Sequence, residues 1–266
     1  LVQKVNEVNW HEANRIVQKH YTDIDYVALI EREQKPVEFT PFDQNLLDRL
    51  RSNFPGSEGE EYMLGRGFNK ETLEHFEIGY SEKKRCVIVP MHTDTGLPIG
   101  FVARSVTGKR FLNSKGLPKS KTAWNMHRAK KTGATGIVVE SSFDAMRVHQ
   151  AGYPNTFALL GGSLSAIQKN QIERYFSTIV IATDNDPLQF NKGLCGKCGG
   201  ACKGHNPGRE LGEKIEEKLR RKILWAATGP EIYPHGAKDM GDLTDEEIRN
   251  VLTHAVNGFE YHMWTG

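Results

Sequence analysis

Four acidic side chains have the spacing that phosphate chemistry needs. Glu140 and Asp144 form E-x3-D, and Asp184 and Asp186 form D-x-D, each pair directly following a short apolar run. In an extended segment, residues two apart face the same side at roughly 6.5–7 Å, so Asp184 and Asp186 project together while Asn185 points away. Pro187 then stops the strand. Carboxylates gathered without a Lys or Arg in their own motifs repel one another, and hard divalent cations relieve that repulsion. Mg²⁺ or Mn²⁺ fits, because such ions take oxygen ligands and are commonly shared with substrate phosphates. A pair of ions stabilises both the attacking and the leaving oxygen of an in-line phosphoryl displacement. Plainer readings compete at each position. Ser141-Ser142-Phe143-Asp144 fits a helix-start pattern, so Asp144 serves equally well as a cap partner; Glu140 fits a solvated loop and Asp184-Asn185-Asp186-Pro187 an ordinary turn. The two motifs together, at the ends of successive strands, favour a metal site.

A second group has soft ligands. Cys195, Cys198, Cys202 and His205 spell C-x2-C-x3-C-x2-H in a Gly-rich segment. Where thiols stay reduced, this spacing points to tetrahedral zinc rather than to disulfides. A flexible Gly-rich loop and a base-contacting knuckle are the alternatives. Cys86 stands apart in Cys86-Val87-Ile88-Val89-Pro90 and reads as a buried strand residue.

The 35 basic and 33 acidic residues leave a net charge of only +2, but their distribution is uneven. No acidic residue falls between Asp94 and Glu140, whereas Arg104, Lys109, Arg110, Lys115, Lys119, Lys121, Arg128, Lys130 and Lys131 all do. A run of like charge is usually a solvated face. Interleaving with Phe101, Phe111 and Trp124 makes a groove that follows a phosphate backbone the better reading.

The elements that must position these groups follow from periodicity. From Gly136 the chain alternates Ile137-Val138-Val139, a helix over 143–150, a strand over 156–160, a helix over 165–176 opened by the capping-box spelling Ser165-Ala166-Ile167-Gln168, and a strand over 178–182. Short apolar strands alternating with helices predict a parallel sheet buried on both faces, with ligands beyond the carboxyl ends of its strands. A further helix is expected over 209–223, with Leu211, Ile215 and Leu219 on one side. Between Glu60 and Gly133 the apolar runs around the turn His92-Thr93-Asp94-Thr95-Gly96 predict mixed helix and strand, including a helix over 70–76 capped by Asn69. Residues 1–58 read as polar and helical, with Trp10, Ile16 and Val17 in one segment and Phe42, Leu46, Leu47 and Leu50 in another.

At these residues the sequence resembles the catalytic core of bacterial DnaG-type DNA primases, including phage-encoded relatives, with their Toprim domain. Tyr62-Met63-Leu64-Gly65-Arg66-Gly67-Phe68 resembles the family's Y-L-x-x-R-G-F, Phe76-Glu77-Ile78-Gly79-Tyr80 its F-x-I-G-Y, Gly100-Phe101-Val102-Ala103-Arg104 its G-F-x-x-R, and Arg110-Phe111-Leu112-Asn113-Ser114 its K-Y-L-N-S. Glu140 and Asp144 are similar to E-G-x-x-D, with Ser141 in place of the glycine, and Asp184-Asn185-Asp186 to D-x-D. Lys238-Asp239-Met240-Gly241-Asp242 resembles a late K-D-x-x-D motif, although a helix-start turn explains that spelling nearly as well. The Cys and His cluster falls in an insertion, Leu188 to Asn206, between the D-x-D motif and the next helix.

The resemblance implies an α/β chain: a mixed N-terminal α+β subdomain, then a Toprim domain whose mostly parallel sheet is flanked by helices. It divides the sequence into a helical segment (1–58), a basic subdomain (59–133), the Toprim domain (134–250, with the insertion at 188–206) and a C-terminal tail (251–266). Glu140, Asp184 and Asp186 are expected to hold or act with Mg²⁺ or Mn²⁺, supported by Asp144. Arg66, Arg104, Lys109, Arg110, Asn113, Ser114 and Lys121 are expected to line the nucleotide and template face. The implied activity is synthesis of short RNA primers on single-stranded DNA from NTPs, with a replicative helicase as partner. A Toprim-type nuclease and a non-catalytic single-strand-binding module are the rivals.

Length and composition bound the rest. At roughly 150 residues per domain, 266 residues make one large or two modest domains. The N-terminus lacks the apolar core of a signal peptide, and no window holds the ~18 apolar residues of a membrane span, so a cytoplasmic protein is expected, in the host cytoplasm if phage-encoded. The chain begins at Leu1 rather than Met, so upstream sequence is expected. It is too short for the separate tyrosine-bearing domain of a type IA topoisomerase.

Overall fold

A computed structural model describes residues 37–265. Trp10, Ile16 and Val17 lie outside the described residues. Two sheets organise the remainder. The first is antiparallel, order β1-β2-β3-β4, from Gly79–Ser81 (β1), Cys86–His92 (β2), Pro98–Ser105 (β3) and Phe111–Asn113 (β4). Three helices precede it: α1 (Gln44–Ser52), α2 (Glu58–Gly65) and α3 (Lys70–His75). Each begins where a short polar side chain satisfies free backbone N–H groups. Asp43, Ser57 and Asn69 accept from Asn45, Glu60 and Thr72 respectively. Cys86 is fully buried in β2, as its apolar setting predicts.

After α4 (Met126–Ala129) comes the second sheet, order β11-β10-β7-β5-β6. Its parallel strands are β5 (Thr135–Val139), β6 (Thr156–Ala158), β7 (Thr178–Ile181) and β10 (Lys222–Trp225), with β11 (Val256–Asn257) added antiparallel. Ile137, Val138, Val139, Phe157 and Ile179 are all buried, as expected of strands covered on both faces. Helices α5 (Ser142–Gln150), α6 (Ala166–Tyr175), α7 (Pro207–Lys218), α8 (Asp245–Thr253) and α9 (Gly258–Thr265) complete the chain. The capping box at Ser165 and Gln168 forms as spelled.

One helix is shorter than its sequence suggests. α7 ends at Lys218; Leu219 is extended, and Ile223 lies in β10, paired with Ile179. Leu211, Ile215 and Leu219 are still buried, because the turn into the strand keeps Leu219 against the core. Trp225 of β10 stacks on Tyr261 of α9 with ring centroids 3.8 Å apart.

Trp124 joins the two sheets. Only 2% exposed, it is buried rather than lining a groove. Its indole N–H donates to the Pro90 carbonyl of β2 at 2.8 Å, and its backbone exchanges hydrogen bonds with Ala158 of β6 at 2.8 and 3.1 Å. Trp124→Phe keeps the ring contact with Phe76 but strands the Pro90 carbonyl in the core. It is expected to lower unfolding free energy by about 2 kcal/mol, measured by urea denaturation.

Among the described residues no helix is long and apolar enough to cross a membrane.

Candidate active site and metal centre

The second sheet gathers acidic groups at the carboxyl ends of β5 and β7. Glu140 follows β5 immediately, and its Oε1 accepts the backbone N–H of Asp184 at 3.1 Å. Asp184 and Asp186 do face one way. Both carboxylates contact the ammonium of Lys238, at 3.0 and 3.2 Å, while Asn185 turns aside to donate to the Glu231 carbonyl. Asn206, the cap of α7, accepts from the Asp186 backbone N–H at 3.1 Å, and the Gly208 N–H of α7 donates to the Asp186 carboxylate at 3.2 Å.

Asp144 lies both at the start of α5 and among the acidic groups. The Ser141 hydroxyl caps α5 and donates to Asp144 at 2.6 Å, so the residue that departs from the family's glycine supports this carboxyl. Asp144 also sits electrostatically against Asp239, Asp184 and Glu140. Gly241 makes room for the approach: a Cβ there would lie 2.9 Å from the carboxylate of Asp239 and 3.3 Å from that of Asp144.

Lys238 and Asp239 join the acidic groups from a segment that neither the E-x3-D nor the D-x-D spacing points to. The K-D-x-x-D spelling was the available signal. Its turn reading is also correct, since Asp239 accepts from the Gly241 N–H and Asp242 from the Lys238 N–H. The neutralising lysine is thus supplied from some fifty positions beyond the D-x-D motif.

Crowded negative charge in a partly dry crevice shifts these groups. Burial, then the charge of Asp184, pushes Glu140 up to about 7. Burial raises Asp184 to about 6 against the pull of Lys238. Burial, then Asp239, pushes Asp144 well above the ordinary carboxylate range, and burial followed by Asp242 raises Asp239. Lys238 is raised by its hydrogen bond to Asp184, although burial opposes this.

The donor set has the chemistry that a divalent cation takes: hard oxygens, and more negative charge than one ammonium offsets. Both Glu140 and Asp184 titrate higher in the folded chain than their ordinary 4.5 and 3.8. The stability they give by holding protons is complete below about pH 4 and is lost as pH rises through about 6 and 7. Cation binding to the ionised cluster acts in the opposite sense. Mg²⁺ or Mn²⁺ is expected to raise the melting temperature little at about pH 5 and substantially at about pH 8, with Glu140→Gln flattening the trend. A pH-independent increment would contradict this assignment.

Side chains of the basic stretch approach the acidic groups through cation–ring and edge-to-face ring contacts. Arg66 lies 5.6 Å from the Phe143 ring centroid on α5, and its charge opposes the rise of Asp239. Arg104 lies 4.5 Å from the Phe111 centroid and donates to the Tyr62 hydroxyl; Phe111 in turn meets Phe143 at 6.3 Å. Lys109, Arg110 and Asn113 are exposed on or beside β4. Lys121 lies in the segment leading to Trp124, 6.0 Å from the Phe39 ring centroid. Ser114 is buried, its hydroxyl accepting from the Phe101 N–H, and so acts within the sheet. Phe101 is half-buried against Phe42.

The insertion brings its four soft ligands together. Donor atoms of Cys195, Cys198, Cys202 and His205 all lie within 4.8 Å of one another, and the cysteines are free. A tetrahedron of zinc bonds to sulfur and nitrogen has edges of about 3.5–3.8 Å, and the His205 Nε2 lies 3.1 and 3.6 Å from the Cys195 and Cys198 sulfurs. The hydrogen bond from Asn191, then the His205 ring, bring the Cys195 thiol down to about 5, favouring the thiolate that binds metal. The residues fit zinc.

Residues 135–193, which carry the parallel strands β5, β6 and β7 and the acidic groups at their ends, match the family model described as Toprim domain. The fold is similar to that of solved bacterial primase cores. It aligns with the zinc-binding and RNA polymerase domains of Aquifex aeolicus primase at TM-score 0.63 and 19% identity, covering 99% of this chain and 72% of that one. It is 24% identical over 181 residues to the DNA primase of Thermotoga maritima, covering 52% of this chain and 32% of that protein. With the DNA primase of Mycoplasma genitalium the identity is 29% over 194 residues, covering 68% and 31%. The chain thus spans about a third of the length of these two relatives.

Proposed function

We propose that this chain is the RNA-polymerising core of a DNA primase, synthesising short RNA primers on single-stranded DNA. The observation that carries the reading is the juxtaposition of the acidic crevice with a cationic, aromatic shelf through Arg66, Phe143 and Phe111. Asp184 and Asp186 would hold Mg²⁺ or Mn²⁺, with Glu140 acting beside them and Asp144 and Asp239 behind. When bound, the cations offset the charge that develops on the phosphoryl group and on its entering and leaving oxygens.

The chain's own groups do the rest. Arg66, Arg104, Lys109, Arg110, Asn113 and Lys121 receive phosphates of template and NTP, while the exposed Phe111 ring offers a base a stacking face. The 3′-hydroxyl of one nucleotide attacks the α-phosphate of the next, and pyrophosphate leaves. Glu140, held near 7 and with one oxygen engaged by the Asp184 N–H, has its second oxygen available to take the hydroxyl proton. Lys238, bridging Asp184 and Asp186, keeps the two ligands in register before nucleotide arrives. The basic subdomain at 59–133 presents the template and the Toprim domain at 134–250 performs transfer. A replicative helicase at a cytoplasmic fork is the partner this reading requires.

The test is incubation with single-stranded template, four NTPs and Mg²⁺ or Mn²⁺. Short RNA is the expected product. Metal-dependent cleavage of DNA without NTPs would transfer the assignment to a nuclease, and binding of single strands with no product under either ion would leave a binding module.

A further inference from the structure

The insertion is attached at both ends to the catalytic cluster. Its 19 residues, 188–206, include five glycines and only a pair of two-residue strands, Leu194–Cys195 (β8) and Gly200–Ala201 (β9). Cys195 and Asn206 are its buried residues, and Leu188, Phe190 and Leu194 are exposed. A segment of this kind buries too little apolar surface to offset the entropy of ordering it. Yet it returns to a defined place: Gln189 and His205 exchange backbone hydrogen bonds at 2.7 and 2.8 Å.

Asp186 depends on that return. Asn206, the residue after the ligand His205, uses one Oδ1 to accept both the Asp186 N–H and the Arg209 N–H that starts α7. Its amide donates to Asn185 at 3.0 Å. The His205 Nδ1 faces Glu210 of α7 at 2.8 Å, leaving Nε2 toward the sulfurs, the arrangement in which a carboxylate orients a metal-binding imidazole. His205 therefore links the sulfur cluster, the D-x-D segment and the first turn of α7.

We infer that Cys195, Cys198, Cys202 and His205 bind zinc and that this zinc is a positioning element for Asp186, so that its occupancy sets the affinity of the acidic cluster for its divalent cation. With the ion bound, the loop closes on His205 and Asn206 stays over Asp186. Without it, Asn206 loses its anchor, and the Asp186 N–H and carboxylate lose two of their fixed partners. The inference rests on the acidic cluster binding a cation, but not on the cluster catalysing anything.

The experiment combines Cys202→Ser, Asp186→Asn and the double variant, each in the full chain. Zinc is counted by mass spectrometry, fold is followed by circular dichroism, and Mn²⁺ affinity is titrated by electron paramagnetic resonance without NTPs. Zinc is expected at one per wild-type chain and is lost in Cys202→Ser. Mn²⁺ binding is expected to weaken about tenfold in that variant, the size typical of losing an outer-shell support. Cys202→Ser is expected to add almost nothing in the Asp186→Asn background, which a general loosening of the fold would not reproduce. If Cys202→Ser misfolds, stripping zinc from the wild-type and Asp186→Asn proteins by chelation provides the same comparison. A wild-type chain without zinc, or unchanged Mn²⁺ affinity on zinc loss, overturns the inference. Zinc-coupled Mn²⁺ binding in a chain that makes no primers would sustain it and overturn the polymerase reading instead.

Discussion

Asp184→Ala is expected to reduce primer synthesis at least about 10³-fold, a loss of about 4 kcal/mol of transition-state stabilisation, while leaving the melting temperature at about pH 8 unchanged or higher. The two halves of this expectation have separate causes. The carboxylate shares Lys238 with Asp186 and sits beside Glu140, so its removal takes away a carboxylate at the centre of the cluster. The same carboxylate raises Glu140 and Asp144 through repulsion, and its removal relieves both. The bond from the Asp184 backbone N–H to Glu140 survives the substitution. Primer yield per enzyme under Mg²⁺ and Mn²⁺, alongside thermal melts, checks the pair of outcomes. Lost activity accompanied by a lower melting temperature would mean that Asp184 is a structural residue.

Gly208→Ala is expected to do the reverse, destabilising the fold by about 3 kcal/mol and damaging the site as a result. Gly208 is the second residue of α7. A Cβ at this position would lie 2.0 Å from the Asp184 carbonyl oxygen and 2.8 Å from the Asp184 Cβ. Backbone cannot yield as the tip of a side chain can, so α7 must move away from the strand end and take with it the N–H that holds Asp186. Gly65→Ala is the control: a Cβ there meets nothing within 4 Å, and the exposed last turn of α2 should gain slightly in stability. Chemical denaturation of the two variants separates a close approach of backbones from a general intolerance of alanine. Equal stability in Gly208→Ala and wild type would remove the tight α7 contact from the account.

Much of this arrangement was legible because local and global preferences agree. Ser165 and Gln168 spell a capping box and form one, and the apolar run at 137–139 is buried on both sides. The D-x-D spacing alone implies two carboxylates on one side, which is where Lys238 meets them. The misreadings arise where one pattern serves two structures. Leu219 and Ile223 continue the spacing of α7, but Ile223 gains more by pairing in the parallel sheet. Lys238 and Asp239 spell a turn and form one, which hides that the turn delivers them to the crevice. Trp124 lies among lysines in sequence, but position in a charge run does not determine exposure, and its indole is buried between sheets. Ser114 is similar: its hydroxyl is taken up by the backbone of the neighbouring strand.

The backbone bridge from Trp124 to Ala158 also bears on self-association. In the order β11-β10-β7-β5-β6, the outermost strands are β11 and β6. An unpaired margin of this kind is a template on which a second molecule can add a strand. Trp124 occupies donor and acceptor of Ala158, the last residue of the three-residue β6. Opposite, the margin is a strand of only two residues that runs directly into α9. A sheet terminated in this manner leaves little unpaired backbone on which a second copy of the chain could add a strand.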